Sequence, residues 1–145
     1  MTHTQTIITA STHQELEDAF SVRTQVFVEE QKVSIELERD HEDEHAIHFV
    51  LYHNQKPTGA ARIRLLDTYA KIERVCTLRN SRGTGAGSAL MKAIEVEISK
   101  QGFQLAKLNA QTQAAGFYER LGYTACSNEF MDAGMPHITM EKSIG

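Results

Sequence analysis

Residues 70–102 constrain the fold more than any other stretch. Ala70 to Leu78 is a β-rich run. Ser81 to Gly87 is a turn with Gly83, Gly85 and Gly87 at alternate positions. Ser88 to Gln101 then carries Leu90, Met91, Ile94, the less regular Val96, and Ile98, before Gly102. Glycine reaches positive φ without a clash, and it commonly ends a helix. The stretch therefore reads as strand, tight turn, helix and stop. Gln104 to Asn109 reads as the next strand. Parallel strands need such a crossover, so this unit predicts one parallel pair.

The flanks add antiparallel pairs. Thr6 to Thr9 is a short β-rich run, and Ser11-Thr12 suits a helix N-cap. Gln14 to Glu30 then has helical spacing through Leu16, Ala19, Phe20, Arg23, Val26 and Phe27. Gln31 to Glu44 reads as loop with a short helix. Ala46 to Tyr52 and Thr58 to Leu66 flank the turn His53–Pro57, a hairpin pattern. Thr112 to Leu121 reads as a helix ending at Gly122, with strands over Tyr123 to Phe130 and His137 to Lys142. The expected class is α+β (mixed α/β), a mixed sheet with helices packed on it. There is no repeat and no Pro/Gly-rich linker, so a single domain over 1–145 is expected.

At 145 residues, 41% hydrophobic and 23% charged, the chain suits a protein that buries one core. No apolar run approaches the ~20 residues that span a bilayer. The start, Met1-Thr2-His3-Thr4-Gln5, lacks signal-peptide character. Two cysteines make no disulfide framework, which points to a reduced cytoplasmic setting. A net charge of -4 argues against general nucleic-acid binding. Charge is segregated, however. Eight acids lie between Glu29 and Glu44 against Lys32 and Arg39, whereas Lys71, Arg74, Arg79, Arg82 and Lys92 oppose Glu73 between 71 and 92. Either these are two solvated loops of opposite sign, or one suits a cation and the other an anion.

The glycine turn is suited to an anion. A helix's first turn leaves N–H groups unpaired at its partly positive end, and Arg79 and Arg82 add charge beside it. A P-loop requires a lysine where Gly87-Ser88-Ala89 has none. A dinucleotide fingerprint requires a third glycine where Ser88 or Leu90 stands. By itself the turn is equally explained as a tight strand-to-helix connection.

In combination, Arg82-x-x-Gly85-x-Gly87 after a strand and Phe117-Tyr118-Glu119-Arg120-Leu121-Gly122-Tyr123 further on resemble the GCN5-related N-acetyltransferase (GNAT) family. Ile72-Glu73-Arg74-Val75, Leu90-Met91 and Asn109-Ala110-Gln111 extend the resemblance over most of the chain. Val26-Phe27-Val28-x-Glu30-Gln31 and Asp132 to His137 are similar to a small bacterial single-domain group within it. The resemblance implies a mostly antiparallel sheet of about six to seven strands with about four helices, splayed at an acyl-CoA site. It implies acetyl-CoA as donor substrate, no metal, and a primary amine as acceptor. Arg82, Gly83, Thr84, Gly85, Ala86, Gly87 and Ser88 would hold the pyrophosphate. The main chain of Val75, Cys76 and Thr77 would pair with the pantetheine arm, with Asn109 on its other side. Tyr118 would hydrogen-bond the departing thiolate. No membrane partner is implied, and a homodimer is compatible with the family, whose terminal strands often pair between chains.

An amine must be neutral to attack a thioester. With a pKa of about 10.4, deprotonation at pH 7 costs about 4.6 kcal/mol. A proton acceptor lowers that obstacle. Glu73 is the first candidate base, on an alternating strand face shared with Lys71, Val75 and Thr77, or else a structural partner of Arg62, Arg64 or Arg74. His48 is second and His137 third. The acids of 29–44 would form a lip favouring cationic acceptors such as polyamines, aminoglycosides or lysine side chains. His41, His45 and His48 match no zinc spacing. Cys76 reads better as packed core than as a nucleophile, and Phe20, Phe27, Phe49, Phe103 and Phe117 read as core. A non-catalytic acyl-CoA sensor, or a binder of some other phosphate, would use the same cradle.

Overall fold

In a computed structural model, residues 4–145 are described, and statements of absence below refer to these. Eight strands form one sheet: β1 Gln5–Thr9, β2 Ile47–His53, β3 Lys56–Leu65, β4 Ala70–Thr77, β5 Leu105–Gln111, β6 Thr124–Ala125, β7 Phe130–Asp132 and β8 Met135–Ser143. Their order is β1-β2-β3-β4-β5-β8-β6, with β7 paired to β8. Only β4 and β5 run parallel, joined through helix α3, Ala86–Lys100. The other helices are α1 His13–Arg23, α2 Ile35–Glu38 and α4 Ala115–Arg120.

Local chemistry explains the boundaries. Thr12 caps α1: its side chain accepts from the Glu15 N–H while Glu15 accepts from the Thr12 N–H. The helical pattern through Glu30 is not uniform. α1 ends at Arg23, and Thr24–Glu30 continues as a wider π-helical turn. π-turns occur often at functional sites, and this one lies beside the cleft described below. At the other end, the run 123–130 does not form one strand. It breaks into β6 and β7, and β8 begins at Met135, after the turn residues Ala133 (φ 51°) and Gly134 (φ 76°).

Helices cover both faces of the sheet, giving two apolar cores. Leu90, Met91, Ile94 and Ile98 of α3 pack on Phe49, Leu51, Ala61, Ile63 and Ile72. Ala19 and Val22 of α1, with Val26, pack on Val50, Ala60 and Cys76. Phe49 belongs to the first core, against which Phe103 and Phe117 pack; Phe27 packs against the second. Phe20 instead packs edge-on to His48, beneath the guanidinium of Arg39. No helix is long and apolar enough to cross a membrane.

Two irregularities open the sheet. β4 and β5 pair only at Ala70–Ala106, Lys71–Lys107 and Ile72–Leu108, so their C-terminal ends diverge. In the same place β4 bulges. Ala60 faces Cys76 but Arg62 faces Glu73, so one extra residue is accommodated in β4 around Arg74, at φ 60°. A left-handed arginine costs of order 1–3 kcal/mol and persists only where its surroundings fix it. Here Arg74 donates to the Glu38 carbonyl (Nε, 3.2 Å) and to Asp40 (Nη2, 3.3 Å). The bulge reverses the strand's facing. Lys71 and Glu73 lie on the α1 side, whereas Val75 packs into the α3 core and Cys76 into the α1 core. The simple alternation that groups Glu73 with Val75 is therefore corrected.

Candidate active site

The diverging strands open a cleft of about 810 Å³ whose lining includes Glu73 to Thr77 of β4, Leu108 to Gln111 of β5, the glycine turn, and Phe117, Tyr118 and His137. The turn is built as its glycines require. Gly83 (φ 78°) and Gly85 (φ 85°) are left-handed, and Gly85 is the N-cap of α3. The helix starts at Ala86, two residues earlier than the spacing suggests, so Ala86, Gly87 and Ser88 supply the first-turn N–H groups. No side chain caps this end, which leaves those donors for a ligand. Gly87 has a separate reason: a Cβ there would meet the Phe117 ring at 3.2 Å. Thr84 turns its hydroxyl to the Ser81 carbonyl.

Arg82 is engaged elsewhere. Its Nη1 and Nη2 donate to Glu30 at 2.7 and 2.8 Å, and Nη2 also donates to the Thr77 carbonyl at 2.9 Å. Arg79 lies 3.7 Å from the same carboxylate. Arg82 thus ties the π-turn to the end of β4, and at this turn the backbone donors are left uncommitted. Across the cleft, Asn109 Oδ1 accepts from the Thr139 hydroxyl at 2.8 Å, and Gln111 Nε2 donates to Gln31 Oε1 at 2.9 Å. This amide bridge joins the π-turn to the tip of β5. Gln31 and Gln111 both lie within recognisable motifs, but their pairing, 80 residues apart, was not legible in the sequence.

Tyr118 is buried between Phe117 and Tyr123, edge-on to both, and its hydroxyl has no hydrogen-bond partner among the described residues. Burial pushes its pKa up to about 12. It stays protonated, a donor lining the cleft. Cys76 is buried and its thiol is pushed up to about 12 by desolvation. A thiol held neutral is a poor nucleophile.

Among the three histidine and carboxylate candidates the structure discriminates sharply. Glu73 lines the cleft but accepts from Arg64 (Nε, 2.9 Å; Nη2, 3.1 Å) and Arg62 (Nε, 2.9 Å), with Lys71 at 3.3 Å. Burial would raise its pKa, yet these cations win and hold it at about 2. As a proton acceptor it is about 3 kcal/mol worse than an ordinary carboxylate. This is the structural-partner arrangement, and it disfavours the base. His48 is buried outside the cleft, its Nε2 donating to the Asp43 carbonyl at 2.9 Å and its pKa lowered by burial. His137 does line the cleft. Its Nδ1 lies 2.8 Å from the Met135 carbonyl, and its ring stacks on Phe130. A carbonyl can only accept, so Nδ1 carries the proton and Nε2 keeps its lone pair.

The acidic segment also differs from expectation. Arg23, fully buried, donates to Glu38 (2.7 and 2.8 Å) and Asp43 (2.8 Å). Arg62 donates to Asp40 and Asp43, both at 2.7 Å, and Arg64 to Glu42 at 3.1 Å. Glu38, Asp40, Glu42 and Asp43 are consumed by arginines, and Glu30 by Arg82. These five acids are therefore countercharge and not a lip for cations. The arginines at alternate positions 62 and 64, with 23 and 74, were the available signal. No group of three or more His, Cys, Asp or Glu is arranged to hold a metal ion among the described residues.

A sheet splayed between one parallel pair, with an uncapped helix N-terminus at the opening, is the arrangement that the resemblance to acyl-CoA-dependent acyltransferases implies. The family model described as "Acetyltransferase (GNAT) domain" matches residues 8–144, and the chain belongs to that family. It is 45% identical over 136 residues to the uncharacterized N-acetyltransferase YjcF of Bacillus subtilis, covering 93% of this chain and 97% of that one. A protein of Lactobacillus plantarum whose crystal structure is described as an N-acetyltransferase superposes with a TM-score of 0.91 at 29% identity, over 97% of this chain and 98% of that one. An acyl-CoA N-acyltransferase of Pseudomonas aeruginosa shares the fold, with a TM-score of 0.84 at 24% identity over 97% and 99% of the two chains. The family transfers acyl groups from acyl-CoA, and its fold takes acetyl-CoA as a substrate.

Proposed function

We propose that this chain acetylates a primary amine by direct attack on acetyl-CoA within a ternary complex. The observation that carries this is the divergence of β4 and β5 beyond Ile72 and Leu108, with uncommitted helix N–H groups at one end and Tyr118 within. The N–H groups of the turn from Gly83 to Ser88 hold the pyrophosphate. The main chain of Val75, Cys76 and Thr77 runs beside the pantetheine arm, and Asn109 lies opposite. Arg82 contributes to the donor site through the Thr77 carbonyl and adds its charge if Glu30 yields.

The amine nitrogen attacks the thioester carbon, the C–S bond breaks, and the nitrogen loses one proton. Tyr118 donates a hydrogen bond to the departing sulfur. With its pKa near 12, above the ~8.5 of a thiol, it stabilises the thiolate without surrendering its own proton. The displaced proton goes to His137 Nε2, and solvent supplies the proton that completes the CoA thiol. Glu73 supports this machinery as an anchor of β3 and β4. Contact between amine and thioester contributes more than either proton relay, because effective molarity is worth several kcal/mol. The alternative, a sensor that binds without turnover, leaves the free hydroxyl of Tyr118 and the lone pair of His137 without a role.

His137→Gln is expected to lower kcat by about 100-fold, with acetyl-CoA affinity retained. An unchanged kcat would remove His137 from the mechanism.

A further inference from the structure

We infer that the acceptor is a single amine on an apolar body and not a polycation; this rests on the acetyl-transfer reading above. Three acids line the cleft: Glu38, Glu73 and Asp132. Glu38 is held by Arg23, and Glu73 by Arg62, Arg64 and Lys71. Asp132, on the exposed strand β7, is the one of the three that makes no ion pair. One free carboxylate serves one ammonium. Lys71, Arg74 and Arg82 in the lining are likewise paired, and Arg120 stands on α4, the donor side.

Part of the lining is apolar, interspersed with Gln31, Glu38 and Asp132. Phe27, Val33 and Leu37 come from the segment after α1, and Ala133 and Met135 from the β7–β8 turn. Leu37 is 60% exposed there, although it sits in a four-residue helix with polar and charged neighbours. That helix cannot hold itself in water. Ser34 caps it, and Glu38 on its last turn is locked to the buried Arg23, with Arg74 donating to the Leu37 and Glu38 carbonyls. The ionic network therefore works as a mount: it neutralises the acids of this segment and presents Val33 and Leu37 to the cleft. Apolar groups beside the entering amine also disfavour its ammonium form, which assists the deprotonation that attack requires.

The test is acetyl-CoA-dependent thiol release by the whole chain with phenethylamine and with spermidine, in the wild type and in Leu37→Glu. The wild type is expected to favour phenethylamine by about 10-fold or more in kcat/KM, as burial of one ring would give. Leu37→Glu is expected to erase or reverse that ratio while leaving the KM for acetyl-CoA unchanged. Leu37 is exposed, so the substitution does not threaten the fold. Preference for spermidine in the wild type, or an unaltered ratio in Leu37→Glu, overturns the inference. Acetyl-CoA binding by calorimetry with turnover of neither amine, nor of any in a broader amine panel, overturns the acetyl-transfer reading itself and this one with it.

Discussion

Individual residues divide into those that touch the reaction and those that hold the residues that do. Tyr118→Phe removes only a hydroxyl that nothing in the chain occupies. A fall in kcat of about 10- to 100-fold is expected, with little change in the KM for acetyl-CoA, as measured by steady-state thiol release. Glu73→Gln acts differently. It removes one carboxylate from Arg62 and Arg64 while Arg62 keeps Asp40 and Asp43 and Arg64 keeps Glu42, and a loss of about 2 kcal/mol in urea unfolding is expected. The pH dependence follows from the same groups. Glu73 and Asp43 both have folded-state pKa values depressed to about 2, from 4.5 and 3.8. Their stabilisation is fully present above about pH 4.5 and is lost as pH falls toward 2. Urea midpoints should decline modestly below about pH 6.5, where buried His48 resists the proton that the unfolded chain takes up, and drop steeply below about pH 4.5. The family resemblance pointed to Tyr118 and the glycine turn, and both line the cleft. The sequence left Glu73 open between two roles, since a strand position does not reveal how many arginines lie across the neighbouring strand.

At the scale of elements, the start of α3 is the structure on which the proposed donor binding depends. Gly85 is left-handed, with nothing within 4 Å of an added Cβ, so a side chain there is strained by conformation and not by crowding. Gly85→Asp adds that strain and a negative charge at the proposed pyrophosphate site. A loss in CoA affinity of at least about 10-fold is expected in calorimetry, with the far-ultraviolet spectrum retained. This turn was legible because glycine spacing states its own dihedrals. The bulge in β4 was not, because its extra residue is an arginine and not a glycine. The contacts that hold Arg74 left-handed come from Leu37, Glu38 and Asp40, more than thirty residues earlier. The break of 123–130 into two short strands escaped the same way. Pairing with β8 sets those ends, and no local pattern records it.

For the molecule as a whole, the order of elements was legible from periodicity, and that order forces one parallel pair within an otherwise antiparallel sheet. The extent of the splay was not, since it depends on where pairing stops. The ionic network spans this scale too, linking α1, α2 and strands β3 and β4 through Arg23, Glu38, Asp43, Arg62 and Glu73. Its charge run looked like a lip because sequence separates the acids from the arginines that neutralise them. The central claim is that this cleft joins acetyl-CoA to an amine. The most direct measurement is mass spectrometry of amine products formed with acetyl-CoA by the wild type and by Tyr118→Phe. The account predicts an acetylated amine formed in step with released CoA thiol, and much less of both in the variant. Acetyl-CoA binding without any acetylated amine across a broad panel would contradict it.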